Sequence, residues 1–333
     1  MPDLGAARWD HLADALGRIA GVTATRHAPM GPLSTYRVGG PAAVLVVVAD
    51  ADALAAAVPV LRAGAHEAGG LDLLVVGRGS NLLVADAGFA GVVLQLGEGF
   101  AGVEIDAATS TVTAGAGASL PVGARRTAAA GLTGFEWAVG VPGSIGGAVR
   151  MNAGGHGADL AASLVGIRVV DLDTGQTARV DAADLGLGYR RSSLPATSVV
   201  IEVELQLAPG EVARSEATVS EIVAWRRANQ PGGANAGSVF TNPDGDSAGR
   251  LIDIAGAKGL RIGTAEVSDK HANFIQATPG GSADDVVRVM EAVVARVEEH
   301  SGVRLHAETR LAGYPTEVLE ALGAVPAGGT IRP

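Results

Sequence analysis

Three short apolar runs do most to limit what this chain can become. PAAVLVVVA (41–49), LDLLVV (71–76) and GVVLQL (91–96) are each too short for a buried helix and rich in branched residues. Each therefore reads as a strand covered on both faces. Between the first two, Asp50 or Asp52 is placed to cap a helix running through Leu61. Buried strand, helix, buried strand is the pattern of a βαβ unit, which predicts parallel pairing.

The pattern then becomes mixed. GVEIDAATSTVTAGAG (102–117) reads as two short strands about a turn, followed by a helix at 119–130 that ends at Gly131. LVGIRVVDLDTGQTARV (164–180) reads as a hairpin turning at Asp173-Thr174-Gly175. In VIEVELQL (200–207), Ile201, Val203, Leu205 and Leu207 alternate with Glu202, Glu204 and Gln206, which gives a strand one buried face. A linker is expected at 208–217, then a helix from about Ser215 to Ala228 and a loop over 229–249. The last helix is N-capped by Ser282, buries Val286, Val289, Met290, Val293 and Val297, and ends at Gly302. Residues 8–20 read as an amphipathic helix. The Gly- and Pro-rich tail after Gly313 reads as loosely packed.

Composition narrows the function. A chain of 333 residues, 47% of them apolar, can bury the cores of two or three domains. A net charge of -10 without a Lys/Arg cluster argues against nucleic acid or an anionic membrane as partner. The absence of cysteine excludes disulfides and thiolate chemistry, and the seven histidines show no paired spacing, so no metal site is expected. The longest apolar run falls far below a bilayer span, and Asp3, Arg8, Asp10 and Asp14 interrupt any signal core. A cytoplasmic protein is expected.

Glycine supplies the candidate site. YRVGGPA (36–42), VVGRGSNLLVAD (75–86) and GVPGSIGGAVRMNAGG (140–155) each adjoin a strand or turn. Exposed backbone N–H groups in such turns form nests for phosphate oxygens, and glycine lets a ligand approach closely. Ser80 and Asn81 add a hydroxyl and an amide, so a pyrophosphate suits this chemistry. There is no P-loop. GRGSNL (77–82) and GAGASL (115–120) both lack the third glycine of the dinucleotide fingerprint.

Taken in order, these segments resemble the flavin-binding segments of the UDP-N-acetylenolpyruvoylglucosamine reductases, a family with the vanillyl-alcohol-oxidase type of FAD-binding fold. The resemblance continues through GYRRSSL (188–194), NQPGGANAGSVFTNP (229–243), GRLIDIAGAKGLRIGTAEVSDKHANFI (249–275) and LHAETRLAG (305–313). It covers residues 33–313 and is to the shorter class of the family, which lacks an extra substrate-covering loop. It implies an α+β chain: an N-terminal helical segment (1–32), two α/β FAD-binding subdomains (33–98 and 99–210), a third α+β substrate-binding domain (211–313) and a C-terminal tail (314–333).

The resemblance also implies an activity. An FAD-dependent oxidoreductase, a UDP-N-acetylmuramate dehydrogenase, would use NADPH to reduce UDP-N-acetylglucosamine enolpyruvate in peptidoglycan precursor synthesis, and so serve cell-wall biogenesis, cell shape and division. Non-covalent FAD would be held by Tyr36, Arg37 and Gly39, by Gly77, Arg78, Gly79, Ser80, Asn81 and Leu82, and by Gly140, Pro142, Gly143, Ser144, Ile145, Gly146, Gly147 and Asn152. Valine at Gly79 or Gly146 would enter space kept for the pyrophosphate. Arg190 would grip the substrate carboxylate, Ser238 would donate the proton to C2, and Glu308 would sit beside the carboxylate and the arginine. Tyr189 and Asn242 would touch substrate. Asn229 and Thr241 stand where many relatives carry lysine, which leaves the source of diphosphate recognition open. No metal is implied, and a monomer is expected. The alternative is a flavin oxidase of the same superfold acting on an alcohol or sugar. Such enzymes often tether flavin through His or Cys, whereas this chain has no Cys and no His in its glycine-rich segments before His156.

Overall fold

The structure, a computed structural model, describes residues 4–333. Helix α1 (Leu4–Gly17) leads into strand β1 (Val22–Pro29). The first 32 residues are therefore not simply helical. The alternation in β1 is written largely in Thr, Arg and His, and only Val22 and Ala28 are buried, so apolar periodicity does not reveal it. Then come β2 (Pro41–Val48), α2 (Ala51–Ala68), β3 (Leu71–Val76), β4 (Leu82–Val84) and β5 (Phe89–Leu96). Asp50 is the cap of α2, accepting from Ala53 N at 2.9 Å. The helix continues past Leu61 and Pro59 to Ala68, because Ala65 extends its buried face. β5 inserts between β2 and β3 and runs parallel to both, with Val92 opposite Val44 and Leu73. β1 pairs antiparallel with β2 on the outer edge.

The second unit holds β6 (Val103–Asp106), β7 (Thr111–Gly115), α3 (Leu120–Ala129), β8 (Leu132–Thr133), α4 (Ile145–Met151), β9 (Gly154–Gly155) and β10 (Ala158–Asp159). It is completed by β11 (Leu164–Asp171), β12 (Thr177–Asp181), β13 (Ser198–Gln206) and β14 (Ala208–Pro209). Its five-stranded sheet has the order β12-β11-β13-β7-β6, antiparallel throughout. Val203 and Leu205 on β13 pack inward with Leu120 and Val149 from α3 and α4. Residues 208–217 are not a linker: β14 pairs with β8, and α5 (Val212–Asn229) has already begun. Val219 and Ile222 of α5 join this second core.

The third unit comprises α6 (Ala248–Ile254), β15 (Arg261–Ile262), β16 (Ala265–Val267), β17 (Ile275–Ala277), α7 (Ala283–Ser301) and β18 (Arg310–Ala312). Ser282 caps α7 by accepting from Asp285 N, and the expected apolar face is wholly buried. Asp86 of the first unit accepts from Ser282 Oγ, Ala283 N and Asp284 N, so a carboxylate from another unit satisfies the helix start. β18 pairs in parallel with β4.

The tail is ordered, contrary to expectation. It forms α8 (Thr316–Ala321) and β19 (Gly329–Ile331), and β19 closes the first sheet by pairing antiparallel with β3. A Cβ on Gly328 would lie 2.3 Å from Leu73 O, so the glycine that suggested looseness permits a close backbone contact. No helix among the described residues is long and apolar enough to cross a membrane.

Candidate active site

A cavity of about 920 Å³ lies where the three units meet. Gly77, Arg78, Gly79, Ser80, Asn81 and Leu82 line it from the β3–β4 turn. Gly140, Pro142, Gly143, Ser144 and Gly147 line it from the turn entering α4. The two turns back directly onto each other: a Cβ on Gly77 would fall 2.2 Å from Ser144 Oγ, and one on Gly143 would fall 3.3 Å from Ser80 Oγ. Asn81 then ties the turn to the third unit. Its carbonyl accepts from Arg310 N and its Nδ2 donates to Glu308 O, both at 3.1 Å.

Six of the expected flavin contacts do not line the cavity. Tyr36 is fully buried in the core of the third unit, Arg37 is exposed, and Gly39 abuts Val84 O. Ile145 is buried in the second core, and Gly146 packs on Ala116. Asn152 is buried, donating to Asp159 Oδ2 and Gly188 O while accepting from Ala161 N. These residues brace the turns, as Thr35 N does by donating to Gly79 O at 3.1 Å. The explanation offered for Gly79 and Gly146 also changes. A Cβ on Gly79, at φ 58°, would lie 2.0 Å from Leu33 O, and one on Gly146 would lie 2.7 Å from Ala116 Cβ. Protein fills both spaces. A glycine-rich motif marks where backbone runs close to something, but not what that something is.

Arg190, Ser238 and Glu308 line the same cavity. Arg190 holds φ at 55°, which turns its side chain back toward the β9–β10 corner, and its Nη2 donates to Gly154 O at 3.1 Å. Its Nε lies 2.8 Å from Glu308 Oε1. The N–H there is not aligned for a hydrogen bond, so the contact is mainly Coulombic. The two side chains are only 24% and 14% exposed. Burial raises the Glu308 carboxyl above its usual range, against the pull of Arg190 and, more weakly, Arg310. Glu308 N donates to Val239 O at 2.7 Å, which sets Ser238 on the chain beside it. The Ser238 hydroxyl bonds no group among the described residues. Asn242 also lines the cavity. Its Oδ1 accepts from Ala248 N, and its amide nitrogen bonds no group among the described residues. Tyr189 does not line it; the ring is 58% exposed and stacks under the Arg190 guanidinium.

Several lining residues carry no local signal in the sequence. Arg226, near the end of α5, donates from Nε to Gln230 at 2.7 Å, and burial lowers its pKa. In sequence it reads only as a cation favouring a helix C-terminus. His156 stands edge-on to Trp225 at 5.1 Å and is held below its usual pKa by burial and then by Arg226. Arg150 is pushed down to about 10 by burial and then by Arg310. It clamps Leu194 O, Pro195 O and Ser198 O. No group of three or more His, Asp or Glu suited to a metal occurs among the described residues.

The comparisons with known proteins agree with this architecture. The family model described as "FAD binding domain" matches residues 42–181. The model described as "UDP-N-acetylenolpyruvoylglucosamine reductase, C-terminal domain" matches residues 229–312. The chain is 44% identical to the UDP-N-acetylenolpyruvoylglucosamine reductase of Acidiphilium cryptum, over 86% of its own length and 90% of the relative's. It belongs to the UDP-N-acetylenolpyruvoylglucosamine reductase family. The family's reductase from Anaeromyxobacter dehalogenans strain 2CP-C is 43% identical over 91% of this chain and 90% of its own. Among solved structures, the family's reductase from Thermus caldophilus superposes with a TM-score of 0.71 at 34% identity, covering 87% of this chain and 98% of that one. The fold is the vanillyl-alcohol-oxidase type of FAD-binding fold joined to a third α+β unit. FAD fits the residues present. Two glycine-rich turns line a cavity of the size that takes a cofactor, and one of them carries Ser80 and Asn81.

Proposed function

We propose that this protein uses NADPH to reduce UDP-N-acetylglucosamine enolpyruvate to UDP-N-acetylmuramate through bound FAD, as a monomeric cytoplasmic enzyme of peptidoglycan precursor synthesis without nucleic-acid or membrane partners. The observation that carries the reading is the Arg190–Glu308 contact on a cavity wall shared with Ser238. When bound, FAD supplies the hydride that reaches C3 of the enolpyruvyl group. The chain manages the resulting charge and proton. Arg190 grips the substrate carboxylate, and its fixed charge favours the negative charge that develops there. Ser238 gives its proton to C2. A hydroxyl is a weak acid, so the basicity of the enolate drives that step.

Glu308, with its pKa raised by burial, holds a proton closer to neutral pH than an exposed glutamate would, and so limits repulsion of the enolate beside Arg190. Arg226 supplies the positive charge for the diphosphate that Asn229 and Thr241 lack, and Asn242 offers an amide donor.

The test is direct. The purified protein is expected to be yellow, to release free FAD on heating, and to oxidise NADPH beyond one equivalent per flavin only when the enolpyruvyl sugar nucleotide is present. A colourless protein that takes up no added FAD overturns the reading. So does oxygen consumption with an alcohol donor in place of NADPH oxidation.

A further inference from the structure

The tail after Gly313 lies beyond the matched family segment, which ends at residue 312, yet it reaches the cavity. It is anchored on both sides of one short stretch. Leu322 is fully buried in the core of the third unit, and Ile331 is fully buried in the core beneath α2. Between them, Ala327 N donates to Leu311 O at 2.8 Å, and Thr330 Oγ1 donates to Asp72 Oδ1 at 2.7 Å. Backbone held this firmly still leaves Val325 54% exposed and Pro326 exposed, and Val325, Pro326, Ala327 and Gly328 all line the cavity.

The register says where this wall stands. β19 runs antiparallel to β3, with Ile331 opposite Leu71 and Gly329 opposite Leu73. Continued in the same sense, the chain passes back along β3 toward Gly77 and the turn that follows it. Leu74, Val76, Leu194 and Ala196 line the cavity on the same side. None of these residues, nor 325–328, carries an ionisable group. A rigid apolar wall takes the flat face of a ring, while polar partners elsewhere hold the charged parts of a ligand.

We propose that the C-terminal segment is a wall of the cofactor pocket: Val325–Gly328 pack against a heteroaromatic ring of FAD beside the Gly77–Asn81 turn and set how fast FAD leaves. The inference rests on reading this cavity as the flavin site. The segment takes no part in hydride or proton transfer, since its side chains bring no donor or charge.

The test is FAD binding to the apoprotein, followed by flavin fluorescence, with the melting temperatures of the apo and loaded forms measured beside it. In Val325→Asp an already exposed side chain is replaced. The apoprotein is expected to melt within about 2 °C of the parent, while the Kd for FAD rises by at least about tenfold and release speeds up in step. A chain ending at Gly323 is expected to lose FAD affinity further, with lower apoprotein stability because the β3 edge is uncovered. A Kd for FAD within about twofold of the parent in Val325→Asp overturns the proposal. So does a variant that weakens only the sugar nucleotide. If the parent itself binds no FAD, it is the assignment of the cavity that fails.

Discussion

Ser238→Ala separates the two halves of the reaction. The hydroxyl has no hydrogen-bond partner among the described residues, and the residue sits beside the Val239–Glu308 backbone bond, which alanine keeps. Its removal therefore breaks no internal hydrogen bond, and the cost in stability is expected within about 0.5 kcal/mol. Catalysis is different. Reduction of flavin by NADPH needs no proton at C2, so that half-reaction is expected to stay near the parent rate. Reduction of the enolpyruvyl group needs hydride and proton together, and loss of a positioned acid costs about 10²–10⁴ in rate, or roughly 3–5 kcal/mol of barrier. Stopped-flow absorbance reads both: flavin bleaching with NADPH, then recovery of colour with substrate. Normal bleaching and a recovery slowed at least about a hundredfold are expected, with Ser238→Cys restoring part of it. Equal slowing of both phases would make Ser238 a structural residue. An unchanged recovery would refute its role as donor and turn attention to Glu308.

Gly79→Val is expected to destabilise the apoprotein by more than about 2 kcal/mol, because the new side chain meets Leu33 O and must hold a positive φ. Normal melting of the flavin-free form with only FAD lost would contradict this. Asp86→Ala removes the acceptor for three donors at the start of α7, so a loss of about 1–2 kcal/mol is expected in chemical denaturation; an unchanged midpoint would show that Ser282 suffices. Glu308 has a folded-state pKa above its unfolded one, so its contribution to stability is full below the ordinary carboxylate range and is lost as pH rises through the raised value. Glu308→Gln removes that loss. Its melting temperature relative to the parent is expected to climb as pH rises from the ordinary carboxylate range through the raised value, and a flat difference would show that Arg190 fully compensates the buried charge.

What the sequence reveals depends on how local the determinant is. Helix α7 is legible because cap, period and stop all lie within Ser282–Gly302. The βαβ pattern announces parallel strands, but the insertion of β5 between β2 and β3 is a long-range choice that no run of residues encodes. β1 is hidden because its exposed face is polar and its buried face small. In the site, Arg190, Ser238 and Glu308 come together from segments far apart in the chain, and only the ordered resemblance links them in advance. Tyr36 and Asn152 sit inside the same motifs as the cavity-lining glycines, yet their side chains serve the protein. Motif membership does not say which way a side chain points. Arg226 could not be found at all, since a helix-end arginine looks the same whether it meets water or a ligand.

The pairing of β19 with β3 also bears on how the protein is made. Thr330 and its partner Asp72 are 258 positions apart. At about 5–20 residues per second, the ribosome needs on the order of 10–50 s to travel that distance. During that time the first sheet must wait with β3 uncovered, a run of apolar residues with free N–H and C=O groups along one side. Residues 329–331 both finish the sheet and close that edge. A nascent chain, or one terminated before residue 329, therefore presents an apolar strand with an open edge to its neighbours, and it falls to a chaperone, or to speed, to keep it single until β19 arrives.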